Sequence, residues 1–156
     1  QVISDFQCPF CARAVATIDQ IEERYRGRVR VVFRHYPLPF HEQAFPAAEA
    51  SVEVYEHAGE RAFWAYHDRL FQNQRALDEE SLVGHAAAIP GVDRSRVRAA
   101  LRDRRHRARV QADIDAVAAA GMRIGTPSFL IGTRLLQGAQ PFEAFQQAID
   151  AELAGR

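Results

Sequence analysis

Two cysteines near the start of the chain are the residues best suited to do chemistry. Cys8 and Cys11 are the only cysteines among 156 residues, and two residues separate them. A short apolar segment precedes the pair, and apolar residues at three- and four-residue steps follow it, so the pair lies where a predicted strand leads into a predicted helix. Pro9 then occupies the first helical position, where its missing N–H costs nothing. Cys8 is therefore predicted to be the helix N-cap, with Cys11 one turn further along the same face.

This position favours a reactive thiolate. The unpaired N–H groups and the positive dipole end of a helix N-terminus stabilise an anion, so the pKa of Cys8 is expected to fall below the usual value of about 8.5. The thiolate is the species that attacks a disulfide, and one helical turn brings two cysteines close enough to form one. The pair is predicted to cycle between dithiol and disulfide, and this redox-active Cys8–Cys11 disulfide is the only cofactor we expect.

A pair of cysteines at this spacing can also be half of a structural zinc site, which usually has four ligands. The chain has no third cysteine, and no two of its six histidines are three to five residues apart. We therefore predict no metal site. A purely structural disulfide is also disfavoured, because so short a loop constrains the unfolded chain little.

Composition excludes several other classes of protein. Hydrophobic residues make up 47% of the chain, which is enough for a core and too many for a disordered protein. The formal net charge is zero, and aspartates interrupt the arginine-rich stretch 94–109, so we interpret that stretch as a solvated helix face and predict no nucleic-acid partner. We recognise no membrane span, signal peptide or anchor, and interpret the N-terminus at Gln1 as processed or trimmed.

The remaining patterns predict an α/β fold with a long helical interruption. Alternating apolar residues over 28–36 predict a second strand, which would form a parallel βαβ unit with the first strand and helix. Residues 38–121 contain helical patterns and no convincing strand. The segments 128–132 and 134–137 predict a hairpin joined by a tight turn, and a final amphipathic helix follows.

A second candidate site element is Gly125-Thr126-Pro127-Ser128, which lies just ahead of the predicted hairpin. Proline is tolerated at the first position of a strand, because its missing N–H is not needed there. The Thr126–Pro127 peptide bond can be cis in such a turn, although a trans proline in an ordinary loop is the commoner arrangement.

Together these features resemble the DsbA-like thiol:disulfide oxidoreductases of the thioredoxin superfamily, and the likeness covers essentially the whole chain. The segments that carry it are Asp5–Cys11, Arg34–Leu38, Phe63–Phe71 and Gly125–Phe129. The resemblance implies a thioredoxin fold with an inserted all-helical subdomain. Residues 1–37 and 122–156 would form a discontinuous thioredoxin-like domain around the insertion 38–121.

The resemblance also implies roles for the site residues. Cys8 would be the exposed nucleophile and Cys11 the buried resolving thiol. Pro127 would be cis and pack against the two cysteines, and the Thr126 backbone would pair with an extended substrate segment. The residues that would tune the redox properties are Pro9, Phe10, Thr126 and Pro127. The residues that would bind substrate are Phe10, Met122, Gly125 and Thr126. Phe6 and Ile124 are further candidates for this apolar rim, with core packing an equally good interpretation of both.

Two residues depart from the family pattern. Well-known members carry histidine at the position of Phe10, and phenylalanine cannot donate a hydrogen bond to the thiolate, so a less depressed pKa of Cys8 and a milder oxidant are expected. Many relatives carry an acidic residue at the position of Val2. Proton transfer to or from Cys11 would then need Asp5, a water molecule or bulk solvent.

The leading hypothesis is a protein disulfide oxidoreductase that oxidises unfolded or cysteine-containing proteins, with isomerisation and reduction left open as directions. By resemblance it would work outside the cytoplasm, periplasmic or exported, with a membrane-bound reoxidising or reducing partner. The alternative is a peptide-binding or regulatory module of a larger protein with little redox activity. A third hypothesis is a glutathione-dependent transferase or isomerase on a related fold. Cys11 argues against it, because such proteins usually lack the second cysteine.

Overall fold

A computed structural model describes residues 1–155 and shows within them a mixed four-stranded sheet with seven helices. The sheet order is β2-β1-β3-β4, with β1 and β2 parallel and the other neighbours antiparallel. The strands are β1 (Val2–Ser4), β2 (Phe33–His35), β3 (Ser128–Ile131) and β4 (Arg134–Gln137), and the helices are α1 (Pro9–Arg24), α2 (Ala44–Ala58), α3 (Glu60–Gln72), α4 (Glu79–Ala87), α5 (Arg94–Arg102), α6 (Arg107–Ala119) and α7 (Phe142–Ala154).

Helix α1 begins as the sequence predicts. Pro9 is its first residue, and Cys8 is the N-cap with an extended backbone (φ −73°, ψ 121°). The buried face of α1 repeats at helical spacing and comprises Cys11, Ala14, Ile18 and Ile21. This face holds the second cysteine inside the molecule, one turn from the first.

Strand β2 is shorter than the predicted strand over 28–36. Only three residues pair with β1, in the register Val2↔Phe33 to Ser4↔His35. Before Phe33 the Val32 carbonyl still accepts a hydrogen bond from Val2 N at 2.8 Å, but the ladder does not extend further. Val29 and Val31 pack on the apolar cluster beneath α1 and α7. The alternating pattern at 28–32 therefore reflects burial, and the prediction of a strand there is wrong.

Helices α2 to α6 all follow β2 and precede β3 in the sequence, within the predicted insertion 38–121. The main core of this helical block includes residues from the other part of the chain, namely Phe6, Cys8 and Cys11. The redox loop is thus packed directly on the insertion. The division into two domains stays a prediction, and Arg156, which ends the second predicted segment, lies outside the described residues.

Part of the arginine-rich stretch has a structural role that the sequence did not indicate. Buried Glu53 on α2 accepts hydrogen bonds from Arg96 Nε at 3.1 Å and Arg105 at 3.2 Å, and its Oε2 lies 2.6 Å from His106 Nε2. A buried carboxylate is tolerated only when it is paired in this way. The side chains of Arg96 and Arg105 are nevertheless 51% and 43% exposed, so the interpretation of this stretch as a solvated face holds for both. Their ion pairs with Glu53 also hold α2 against α5 and the start of α6.

Candidate active site

Both cysteines are free thiols, and both are buried. Cys8 is 3% exposed and Cys11 is 2% exposed. The predicted burial of Cys11 is confirmed, whereas the prediction of an exposed Cys8 is wrong. The reason is that Cys8 packs into the core of the helical block on one side and against a second loop on the other. The two thiols therefore differ little in exposure.

The second loop is the predicted Gly125–Ser128 segment. Its Thr126–Pro127 peptide bond is cis, and Pro127 is buried. The Cys8 thiol donates a hydrogen bond to the Thr126 carbonyl oxygen across 3.4 Å, and the Ser128 hydroxyl donates to the Gly125 carbonyl at 2.7 Å. The fold thus brings Thr126 into contact with Cys8, from which it is 118 residues distant in sequence.

The two thiols differ sharply in acidity. A hydrogen bond from the side chain of Cys11 is the largest influence on the pKa of Cys8 and helps lower it to about 5; Thr126 and the backbone N–H groups of Cys11 and Phe10 also contribute, against the opposing effect of burial. Burial and the hydrogen bond to Cys8 raise the pKa of Cys11. At neutral pH the negative charge therefore resides on Cys8. The sequence predicted this direction, but the partner thiol contributes more than the helix N-terminus.

The Thr126 hydroxyl is part of this environment. Its Oγ1 is buried and has no hydrogen-bond partner among residues 1–155 while Cys8 is a thiol. The same side chain lowers the pKa of Cys8. A hydroxyl can donate to the sulfur once the sulfur is ionised, so loss of the thiol proton supplies the partner that this hydroxyl lacks.

Both carboxylate oxygens of Asp5 form hydrogen bonds to loop residues. Its Oδ1 accepts from Gln7 N at 2.7 Å, and its Oδ2 accepts from Leu38 N at 2.8 Å and lies 2.8 Å from His41 Nδ1. These contacts argue against Asp5 as the proton carrier for Cys11. The side chains that hydrogen bond to Cys11 are those of Cys8 and Ser4, and sequence reasoning missed Ser4.

Val2, at the position where many relatives are acidic, is buried in an apolar cluster. It therefore offers no proton to Cys11. The inward face of β1 carries the small hydroxyl of Ser4 instead, and a single serine in a short apolar strand gives no signal of its own in the sequence.

The predicted apolar rim is only partly at the surface. Phe10 is 51% exposed, and the Arg13 guanidinium lies 4.4 Å from the centre of its ring. Gly125 is exposed, and Met122 and Ile124 are half-buried, so these residues remain available for contact with a substrate. These positions are compatible with the predicted role but do not test it.

Phe6 is not part of the rim. It is 1% exposed and stacks on Phe33 with 5.3 Å between ring centres, so its interpretation as a substrate contact is wrong and core packing is right. The exposed aromatic residue that sequence reasoning missed is Phe40, which is 72% exposed. It belongs to the loop that Asp5 fixes through Leu38 and His41. A single phenylalanine in a proline-containing loop has no periodicity to reveal it.

Within residues 1–155 no group of three or more histidine, cysteine, aspartate or glutamate side chains is placed to hold a metal ion. No helix in the same range is long and apolar enough to cross a membrane.

The sequence model of the family described as Thioredoxin matches residues 2–151. The chain belongs to the thioredoxin family. Its structure superposes on BdbD from Bacillus subtilis with a TM-score of 0.89 at 21% identity, covering 99% of this chain and 86% of that one. It also superposes on ScsC from Proteus mirabilis with a TM-score of 0.78 at 25% identity, covering 99% and 67% of the two chains. The predicted DsbA-like thioredoxin fold with a helical insertion is confirmed.

The curated relatives of this thioredoxin-family chain are much longer proteins. It is 33% identical over 152 residues to the Na(+)/H(+) antiporter NhaA 1 of Salinispora arenicola. That match covers 97% of this chain but only 22% of the antiporter, so the chain spans about a fifth of the curated relative. Membership of the thioredoxin family, with two cysteines of unequal acidity, supports thiol–disulfide exchange as the general class of reaction.

Proposed function

We propose that this chain is a protein disulfide oxidoreductase that transfers the Cys8–Cys11 disulfide to client proteins as a dithiol oxidase. The observation that carries the proposal is the position of Cys8 at the N-cap of α1, 3.4 Å from the Thr126 carbonyl and beside Cys11, where the pKa of Cys8 is lowered to about 5. A stabilised thiolate favours the dithiol form of the pair, and a pair that favours its dithiol form is an oxidant. Phe10 offers no side-chain donor to this thiolate, so the oxidant is milder than relatives with histidine there.

The exchange proceeds in two steps. A client thiolate attacks the Cys8 sulfur of the disulfide, the Cys8–Cys11 bond breaks, and Cys11 leaves and takes up a proton. A second client thiolate then attacks the client sulfur of the mixed disulfide and releases Cys8 as a thiolate. The client loses two electrons and gains a disulfide, and the pair becomes a dithiol. Because a thiol of low pKa is the better leaving group, the lowered pKa of Cys8 favours the second step.

Clients bind as extended peptide beside the second loop. The Thr126 backbone and Gly125 would pair with such a segment as an added strand, and Phe10 and Met122 would contact its apolar side chains. Exposed Phe40 extends this surface, because its loop is tied to the redox loop through Asp5. Unfolded proteins with cysteines are the partners that suit such a surface.

The direction and the compartment are part of the same proposal. Oxidation of clients requires an environment in which disulfides persist, so we place the protein outside the cytoplasm, periplasmic or exported. A membrane-bound partner would reoxidise the pair after each cycle.

A second candidate function is a peptide-binding or regulatory module of a larger protein with little redox activity. The specific observation in its favour is that curated relatives are antiporters in which the matching region is about a fifth of the length. Such a module would use the same surface around Thr126 but would not need a resolving thiol.

Replacing Cys11 by alanine separates the two candidates. The Cys11→Ala variant keeps Cys8 but loses the Cys11 hydrogen bond that most lowers the pKa of Cys8, so the reaction is run at about pH 9, where an ordinary thiol is also ionised. Because the variant cannot resolve a mixed disulfide, it should accumulate at least about tenfold more covalent adduct than the unmodified chain. The adduct would be measured on non-reducing gels after incubation with unfolded, disulfide-bonded ribonuclease, and dithiothreitol should release it. The double variant Cys8→Ala/Cys11→Ala is the matched control. No adduct with a folded Cys11→Ala variant would reject the oxidoreductase and favour the module.

A further inference from the structure

Gln74 connects the helical insertion to the redox loop. It lies in the turn after α3, whose C-cap is Asn73. Its Nε2 donates one hydrogen bond to the Phe6 carbonyl at 2.8 Å and another to the Cys8 carbonyl at 2.9 Å. Both hydrogens of the amide are thus donated to the backbone immediately before α1, one to the residue before Gln7 and one to the residue after it.

The turn that carries Gln74 is itself fixed. The Phe71 ring packs on the Phe6 ring with 5.1 Å between their centres, and Leu77 is buried in the core of the helical block. The Ala76 carbonyl lies 2.9 Å from His85 Nε2 on α4. Gln74 therefore projects from an anchored turn.

The Cys8 peptide group is held from several sides. Its carbonyl accepts from Cys11 N at 3.1 Å and Ala12 N at 3.2 Å, which closes the first turn of α1. Its N–H donates to the Asp5 carbonyl at 3.1 Å. Gln74 is the side chain that joins this network from the insertion. The network sets where the Cys8 sulfur lies relative to its thiolate-stabilising partners.

We infer that Gln74 is a positioning residue for the redox centre: its two hydrogen bonds to the Phe6 and Cys8 carbonyls hold the Cys8 sulfur against Cys11 and Thr126. The inference rests on the proposed thiol–disulfide exchange. Without the two hydrogen bonds the loop before α1 gains freedom, and the contacts to the sulfur lengthen. The thiolate then loses stabilisation, and Cys8 becomes a less reactive thiol at low pH.

Gln74 could instead serve only to satisfy two buried carbonyl groups, which would matter for folding but not for reactivity. The pH dependence of Cys8 alkylation distinguishes these roles, because a loss of stability alone does not change the acidity of Cys8 in molecules that remain folded. Cys11 does not interfere, because its raised pKa keeps it protonated.

The test compares the reduced chain with Gln74→Ala, Gln74→Met and the control Gln72→Ala. Gln72 is the exposed last residue of α3, two residues before Gln74, and methionine keeps the length of Gln74 without its donors. Alkylation by iodoacetamide is followed as a function of pH, with circular dichroism to select folded protein. We expect both Gln74 variants to react about tenfold more slowly at about pH 4, to reach the original rate at high pH, and Gln72→Ala to be unchanged.

Two results would overturn the positioning role. One is a Gln74→Met variant that keeps the original pH profile, whatever Gln74→Ala does, because the hydrogen bonds would then be dispensable. The other is a Gln72→Ala variant that shifts as much as Gln74→Ala. An ordinary thiol pKa for Cys8 in the unmodified chain is a different outcome. It would reject the proposed oxidase function and would not bear on the positioning role of Gln74.

Discussion

Replacing Cys8 by alanine should abolish disulfide transfer. We expect the rate of oxidation of a dithiol peptide to fall by about 10³-fold or more, which corresponds to about 4 kcal/mol in the barrier. The reason is that each step makes or breaks a bond at this sulfur, and Cys11 is a poor substitute because burial raises its pKa. The measurement is the appearance of the peptide disulfide after mixing with the oxidised chain, compared with the variant treated with the same oxidant.

The control for this variant is its fold. Cys8 is buried, so circular dichroism and the unfolding midpoint of Cys8→Ala must be compared with those of the reduced parent chain. Cys8→Ser, which preserves the size of the side chain, should lose as much activity as Cys8→Ala. If either folded variant kept more than about a tenth of the rate, a group other than Cys8 would carry the reaction.

The second large effect concerns the stability of the two redox forms. We expect the free energy of unfolding of the dithiol form, minus that of the disulfide form, to rise by about 1–2 kcal/mol between about pH 5 and pH 7, allowing for solvent screening at the site. Folding lowers the pKa of Cys8 from the ordinary thiol value of about 8.5 to about 5. A lowered pKa contributes stability that is complete above the unfolded value and is lost as the pH falls through about 5.

Taking the difference between the two forms removes other sources of pH dependence. His35, for example, is buried, and burial lowers its pKa to about 4, so acid destabilises both forms through this group. The covalent constraint of the disulfide on the unfolded chain does not depend on pH. Cys11 matters only above the ordinary thiol pKa, because its own pKa is raised by burial.

Urea unfolding of both forms at the two pH values provides the measurement. The single variant Thr126→Val, which removes the hydroxyl but keeps the shape of the side chain, should reduce the rise without changing the disulfide form. Parallel pH dependence of the two forms in the unmodified chain would mean that Cys8 gains no stabilisation as a thiolate, and the oxidase direction would then be rejected.

Local signals in the sequence were enough to place the centre of the site. Pro9 after Cys8 marks the start of a helix from local sequence alone. Apolar residues three and four positions apart then define the helix face that buries Cys11. The whole-chain resemblance added the position of Thr126 and Pro127, which no local rule relates to the cysteines. The conformation around the cysteines is decided by their neighbours in the sequence, and the Thr126–Pro127 loop belongs to a motif that is specific to the family.

What the sequence could not give depends on packing between distant segments. The burial of Cys8 arises because the helical block and the Thr126 loop close over it from opposite sides. The sequence left Phe6 equally open to a place on the rim or in the core, and the fold decides for the core because Phe33 of β2 and Phe71 of α3 pack on its ring. Gln74 is an ordinary polar residue in a turn, and only the fold shows that its amide reaches the Cys8 carbonyl.

The most direct test of the central claim is titration of the Cys8 thiolate in the reduced chain. The thiolate absorbs in the ultraviolet more strongly than the thiol, and subtraction of the Cys8→Ala signal isolates this one group. We expect a single transition with a midpoint at about pH 5. A midpoint at the ordinary thiol value of about 8.5 would contradict an activated sulfur at the start of α1, and with it the proposed disulfide transfer.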